Sequence, residues 1–225
     1  QFHKVYQLLL TFCAVDLSAV YFDVLKDRLY TQAPNARARR SAQTAIWKIG
    51  EALVRLAAPI MSFTAEEIWR YMPGMADRAS SVHMSRFLDE SDIAGAPDAQ
   101  LTSDWQTVLR SREDVLKALE EARNQKLIGT GLEAKVTVDA PATVYPVLEK
   151  YADQLRYVYI VSAVELKKSV ETNGTGNVKA TVERAPGQKC ERCWNYSTHV
   201  GEDKEYPTVC ERCAKVLHEI EANGA

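Results

Sequence analysis

Four of the five cysteines lie in two copies of Cys-Glu-Arg-Cys near the C-terminus: Cys190, Cys193, Cys210 and Cys213, spaced C-x2-C-x16-C-x2-C. Each pair can turn two thiolates toward one ion, and the excursion between the pairs lets them share a tetrahedral shell. Four thiolates leave no position for a reacting water, so the pattern points to one structural Zn2+ rather than a catalytic metal. A disulfide framework suits a small exported domain. A redox pair calls for a single Cys-x-x-Cys at a helix start. An iron–sulfur cluster uses the same four ligands and stays open on spacing alone. His199 and His218 are bystanders to a site that four cysteines complete. A segment of about forty residues buries little apolar surface, so the ion supplies much of its folding energy.

Trp194 follows the second cysteine, and Arg192 sits inside the first turn. A ring on a metal-fixed turn can stack on an unpaired base, with Arg192 on phosphate or base. It can equally serve as apolar cover for the metal turn.

The elements that must carry this module begin with a helix. Residues 2–30 place Phe2, Val5, Leu9, Phe12, Ala19, Phe22, Leu25 and Leu29 at helical spacing over much of the circumference, the mark of a helix buried among others. Cys13 falls in the apolar set and is expected in the core. Asp16, Asp23, Asp27, Lys26 and Arg28 form a polar side, solvated or salt-bridged. After Pro34-Asn35, a second helix starts near Ala36 and carries Ile46, Ile49, Leu53, Leu56 and Ile60 toward Pro59. Arg37, Arg39 and Arg40 crowd its first turns against the helix dipole, either as a solvated cluster or kept for a phosphate backbone.

Thr64-Ala-Glu-Glu67 reads as a capping box for a short third helix, stopped by Pro73-Gly74. Residues 76–100 read as a polar surface connection. Ser103 and Gln106 suggest a cap for a fourth helix over 104–127. From residue 132 the period changes to two: strands over 132–138, 157–166 and 178–182, a helix over 142–155 opened by Pro141, and a turn at 173–176. The expected fold class is mainly α: a helix bundle over 1–128, a small α+β junction over 129–186 and a four-cysteine zinc-knuckle module over 187–225.

The net charge of −2 conceals a gradient. Residues 1–75 carry nine Lys or Arg against six Asp or Glu, while 187–225 carry five against seven. If nucleic acid is bound, composition places the electrostatic attraction in the first segment rather than at the cysteines. No stretch reads as approaching the roughly 20 apolar residues of a membrane span. The N-terminus is not a signal peptide, and its start inside an amphipathic pattern suggests a C-terminal piece of a longer protein.

The blocks AVDLSAVYFDVLKDRLYT, AAPIMSFTAEEIWRYMP, SVHMSRF and ALEEARNQKLIGTGLEAKVTV, followed by KCERCWNYST and VCERCAKVL, resemble in order the C-terminal part of bacterial isoleucyl-tRNA synthetases. The resemblance implies an anticodon-binding helical domain, a junction and a terminal zinc domain. It implies a cytoplasmic, monomeric parent that joins isoleucine to its tRNA with ATP. The HIGH and KMSKS signatures of ATP chemistry are not in these residues, so this part alone is expected to be inactive. On this reading Arg28, Arg37, Arg39 and Arg40 hold RNA phosphates, Trp194 and Arg192 read the loop, and no membrane takes part. The alternatives are the zinc-finger region of a formamidopyrimidine-type DNA glycosylase, or a structural zinc module without RNA.

Overall fold

A computed structural model describes residues 1–74, 78–89, 91–92, 98–169 and 176–224. The chain divides into two compact units, one of residues 1–23 and 35–97, the other of 24–34 and 98–225. These limits differ from the boundaries expected from sequence, because the long fourth helix packs on the sheet rather than in a bundle.

In the first unit, α1 (Phe2–Thr11) continues as a π-wound stretch, Phe12–Phe22. The helix runs on as α2 (Asp23–Thr31), whose residues from Val24 belong to the second unit. The expectation of a first helix buried over residues 2–30 holds only in its later part, where Leu17 and Leu25 are buried. None of α1 is buried, Phe2 and Leu8 are more than 70% exposed, and Cys13 is an exposed thiol. Nor does the membrane reading hold as stated, since Phe2–Thr31 is long and apolar enough to cross a bilayer by length and composition. Periodicity shows that a face is apolar, not what covers it.

Helices α3 (Arg37–Ala57) and α4 (Ser62–Tyr71) pack around Val54, Ala58, Ala65, Trp69 and Val82. The Trp69 indole N–H donates to the Ala79 carbonyl at 2.9 Å. The Arg78 guanidinium stacks 3.6 Å from the Trp69 ring centroid and donates to the Met72 and Trp69 carbonyls, closing the end of α4. Helix α4 begins before the expected capping box, and Glu66 instead accepts from Ser81 Oγ and Val82 N–H. Residues 76–77, 90 and 93–97 of the expected surface connection lie outside the described residues, and its 3-10 turn Val82–Met84 buries Val82.

The second unit is built on a sheet of order β2-β1-β3 among the described residues. Strand β1 (Ala134–Ala140) is parallel to β2 (Ala163–Lys168) and antiparallel to β3 (Lys179–Arg184), with Val136 opposite both Val164 and Val182. Parallel neighbours need a crossover, supplied here by α6 (Tyr145–Lys150) and α7 (Ala152–Tyr159). Ala134, Val136, Val138 and Ala140 are fully buried against α5 (Ala99–Asn124), which meets the sheet with Val108, Val115 and Leu119. Helix α5 starts earlier than expected, because Asp98 rather than Ser103 caps it by accepting from the Leu101 N–H. The apolar run expected as a strand from Tyr157 completes α7 instead and turns at Ile160, whose φ is +58°. Of the expected turn at 173–176, only Gly176 lies among the described residues.

Two buried polar contacts fix α5. Asp104 accepts from Lys150 Nζ at 2.7 Å, Gln100 Nε2 at 2.7 Å and Tyr151 Oη at 3.0 Å. The Ser111 and Tyr159 hydroxyls lie 2.7 Å apart, and burial pushes the Tyr159 phenol up to about 12.

Candidate metal centre and nucleic-acid face

The terminal module starts as a two-residue hairpin, β4 (Gln188–Lys189) against β5 (Tyr196–Ser197). Gly187 enters it at φ +89°, and a Cβ there would lie 2.2 Å from the Ser197 carbonyl oxygen, so only glycine fits. The turn between the strands is the first knuckle. Trp194 N–H donates to the Cys190 carbonyl at 2.9 Å, and Cys190 N–H to Asn195 O at 2.8 Å. Cys210 opens the second as the residue before α8 (Glu211–Ala222), with Cys213 in its first turn. Glu191 N–H, donating to Thr208 O at 3.1 Å, ties the knuckles together.

This folding brings all four expected ligands into one place. Their sulfurs lie within 4.8 Å of one another, with Cys193 and Cys210 Sγ 3.7 Å apart. Zinc–thiolate bonds of about 2.3 Å imply sulfurs about 3.8 Å apart around a tetrahedron, whereas a disulfide holds them at about 2.05 Å. Cys190, Cys210 and Cys213 are buried, and all five cysteines are free thiols. Hydrogen bonds from the Cys210 and Cys213 thiols hold Cys193 well below the usual thiol range, and the same contacts push those two upward. Without a cation the four sulfurs cannot all ionise; a divalent ion removes that competition. The donor set fits a closed zinc shell. Val209, Ala214, Val200, Tyr206 and Leu217 pack around it.

Trp194 takes no part in that core. It is 60% exposed on a backbone at φ +64°, with Lys189 Nζ 5.4 Å from its ring centroid. Arg192 has a different partner from the one its position suggested, since its Nη1 donates to the Thr31 carbonyl at 2.5 Å. Arg28 is similarly engaged, with Gln154 and over the Tyr157 ring. Arg37, Arg39 and Arg40 begin α3, with Arg37 and Arg40 exposed and Arg40 donating to Gln43 Oε1 at 3.0 Å. The sequence reading missed Arg212, which takes the Asp27 carboxylate with both Nη atoms at 2.5 and 2.6 Å. Its position in the second Cys-Glu-Arg-Cys, matching Arg192 in the first, was the available signal.

Residues 1–138 match the family model described as the anticodon-binding domain of tRNA ligase. The chain belongs to that family. Its match runs from α1 into β1 and so takes in parts of both compact units. Residues 187–216 match the zinc finger found in FPG and IleRS, which makes the four-cysteine module a zinc rather than an iron–sulfur module. Behind the anticodon-binding domain the chain thus carries a structural zinc finger. Similar curated proteins are isoleucine–tRNA ligases. That of Syntrophotalea carbinolica is 48% identical over 222 residues, covering 96% of this chain and 24% of the relative. That of Histophilus somni is 46% identical over 231 residues, covering 100% and 24%. That of Moorella thermoacetica is 43% identical over 239, covering 100% and 25%. The chain spans about a quarter of the length of these relatives.

Proposed function

We propose that this chain is the tRNA-holding region of an isoleucine–tRNA ligase, gripping the anticodon stem and loop while other parts of the parent activate isoleucine with ATP and transfer it. The observation that carries the reading is the exposed Trp194 on a knuckle whose four sulfurs suit zinc, in a chain of the anticodon-binding family. Cys190, Cys193, Cys210 and Cys213 are its zinc ligands, and the ion holds the two knuckles closed. Arg37, Arg39 and Arg40 meet phosphates, a salt-dependent contact with little sequence information. Trp194 stacks on an unpaired loop base, and Lys189 beside it adds positive charge for the backbone. Arg28 and Arg192 are engaged within the protein, Arg192 tying the first knuckle to Thr31. The apolar first helix lies within the family match and serves as a domain helix rather than a bilayer span. The parent works in the cytoplasm, as a monomer.

Binding of labelled tRNA for isoleucine and of duplex DNA, each at several salt concentrations, tests this. The expected result is preference for the tRNA with affinity falling as salt rises. Preference for duplex DNA would favour a glycosylase-like finger, and indifference to both would leave a structural module.

A further inference from the structure

We propose that Tyr30 is a second base-stacking residue, joined to Trp194 in one RNA-reading surface by the arginines of the two cysteine turns. The inference rests on the tRNA-binding reading and extends it to a residue on a separate helix.

The two Cys-Glu-Arg-Cys turns converge on one helix end. Arg212 holds the Asp27 carboxylate in a two-pronged ion pair and reaches Thr31 Oγ1 at 3.3 Å, while Arg192 takes the Thr31 carbonyl at 2.5 Å. Thr31 Oγ1 in turn donates to the Asp27 carbonyl at 2.8 Å. The last turn of α2 is therefore fixed to the zinc knuckles at both of its ends. Tyr30 lies inside that turn and is 76% exposed, although Leu25 and Thr31 on the same helix are buried. Nothing in its own helix requires a bare aromatic there.

Tyr30 adjoins Thr31, and Trp194 stands two residues beyond Arg192, so both exposed rings are anchored within two residues of a single hydrogen bond. Two aromatic faces on a backbone anchored in this way suit successive unstacked bases, because every base offers a π-face. The doubled motif acquires a purpose as well. Its cysteines close the metal shell, and its arginines carry that rigidity to the helix that bears Tyr30. In this arrangement Asp27, Arg192 and Arg212 are positioning residues, and Tyr30 touches the RNA.

The test is binding of the 225-residue chain to an anticodon stem-loop of tRNA for isoleucine with 2-aminopurine in the loop, alongside the same stem fully paired. Tyr30→Ala should weaken loop binding about 5- to 150-fold, the range base–aromatic stacking gives, and relieve fluorescence quenching, with zinc content unchanged. Tyr30→Phe should keep both affinity and quenching. Asp27→Asn, which leaves the ring and the zinc ligands in place, should also weaken loop binding. Unchanged affinity in Tyr30→Ala while Trp194→Ala is weakened would remove Tyr30 from the surface. Equal losses in Tyr30→Phe and Tyr30→Ala would overturn stacking. Normal loop binding by Asp27→Asn would overturn the joining by arginines. A wild-type chain that does not prefer the open loop to the paired stem contradicts the tRNA reading itself.

Discussion

Arg212 and Asp27, 185 positions apart, form a bidentate ion pair with contacts of 2.5 and 2.6 Å and side chains 25% and 16% exposed. The guanidinium fork matches the carboxylate, and partial burial spares the pair much of the screening that weakens surface bridges. Removing one partner strands the other. Arg212→Ala is expected to cost about 2–3 kcal/mol, below the roughly 3–5 kcal/mol of a fully buried pair. Denaturant unfolding checks this, and a double-mutant cycle with Asp27→Asn should show strong coupling. Additive losses would mean that the pair contributes nothing of its own.

Zinc should depend on all four knuckle cysteines and not on the fifth. Cys190→Ser or Cys210→Ser should release the ion and loosen residues 187–224. The sheet core around Val136 and Leu119 should persist, because it contains none of those residues. Cys13→Ser, at an exposed thiol, should keep full metal content. Elemental analysis and far-UV circular dichroism separate the outcomes, and full occupancy in either ligand variant would refute the assignment.

Gly187 is a second route to the same loss. Alanine there meets a carbonyl oxygen at 2.2 Å and a φ of +89°. Gly187→Ala should therefore distort the hairpin that carries Cys190 and Cys193 and weaken zinc retention in competition with a chelator. Gly176, at φ +69° with open space around its Cβ position, is the control for backbone strain without the clash.

Acid should attack the second unit through Asp104. Its hydrogen bond from Lys150, then that from Gln100, hold the carboxyl below its ordinary range. A carboxylate whose folded pKa is depressed stabilises the fold above the unfolded value of about 3.9 and loses that contribution as pH falls through the folded pKa. The same hydrogen bond raises Lys150, whose contribution is complete below its ordinary pKa and fades as pH rises through the raised one. Asp104→Asn should flatten stability against pH at the acid end, measured by thermal unfolding from about pH 2 to 7. An unchanged acid limb would show that other carboxylates set it.

The zinc site was legible in the sequence because four identical ligands at fixed spacing admit few other shapes. Strand β1 was legible for a similar reason: alternation at Ala134, Val136 and Val138 needs only one covered face. Positions 157–159 misled because Tyr and Val are strand formers that tertiary packing can override. Val158 and Tyr159 are buried as part of α7, which ends only at the left-handed Ile160. The first helix misled differently, since its apolar spacing runs throughout while burial reaches Leu17 and Leu25 and none of α1. The matching places of Arg192 and Arg212 in the doubled motif were visible, but the partners of Arg28, Arg192 and Arg212 were not. Their partners Gln154, Thr31 and Asp27 are more than 120 positions away in sequence, and long-range side-chain pairing leaves no local pattern.

We propose that a zinc-fixed Trp194 reads an unpaired loop of tRNA. The most direct test is the affinity of wild-type chain and Trp194→Ala for tRNA for isoleucine at fixed salt, with zinc measured in both. Loss of about 1–3 kcal/mol of binding at unchanged zinc is the expected result. Equal affinity of the two proteins, each with full zinc, would contradict it.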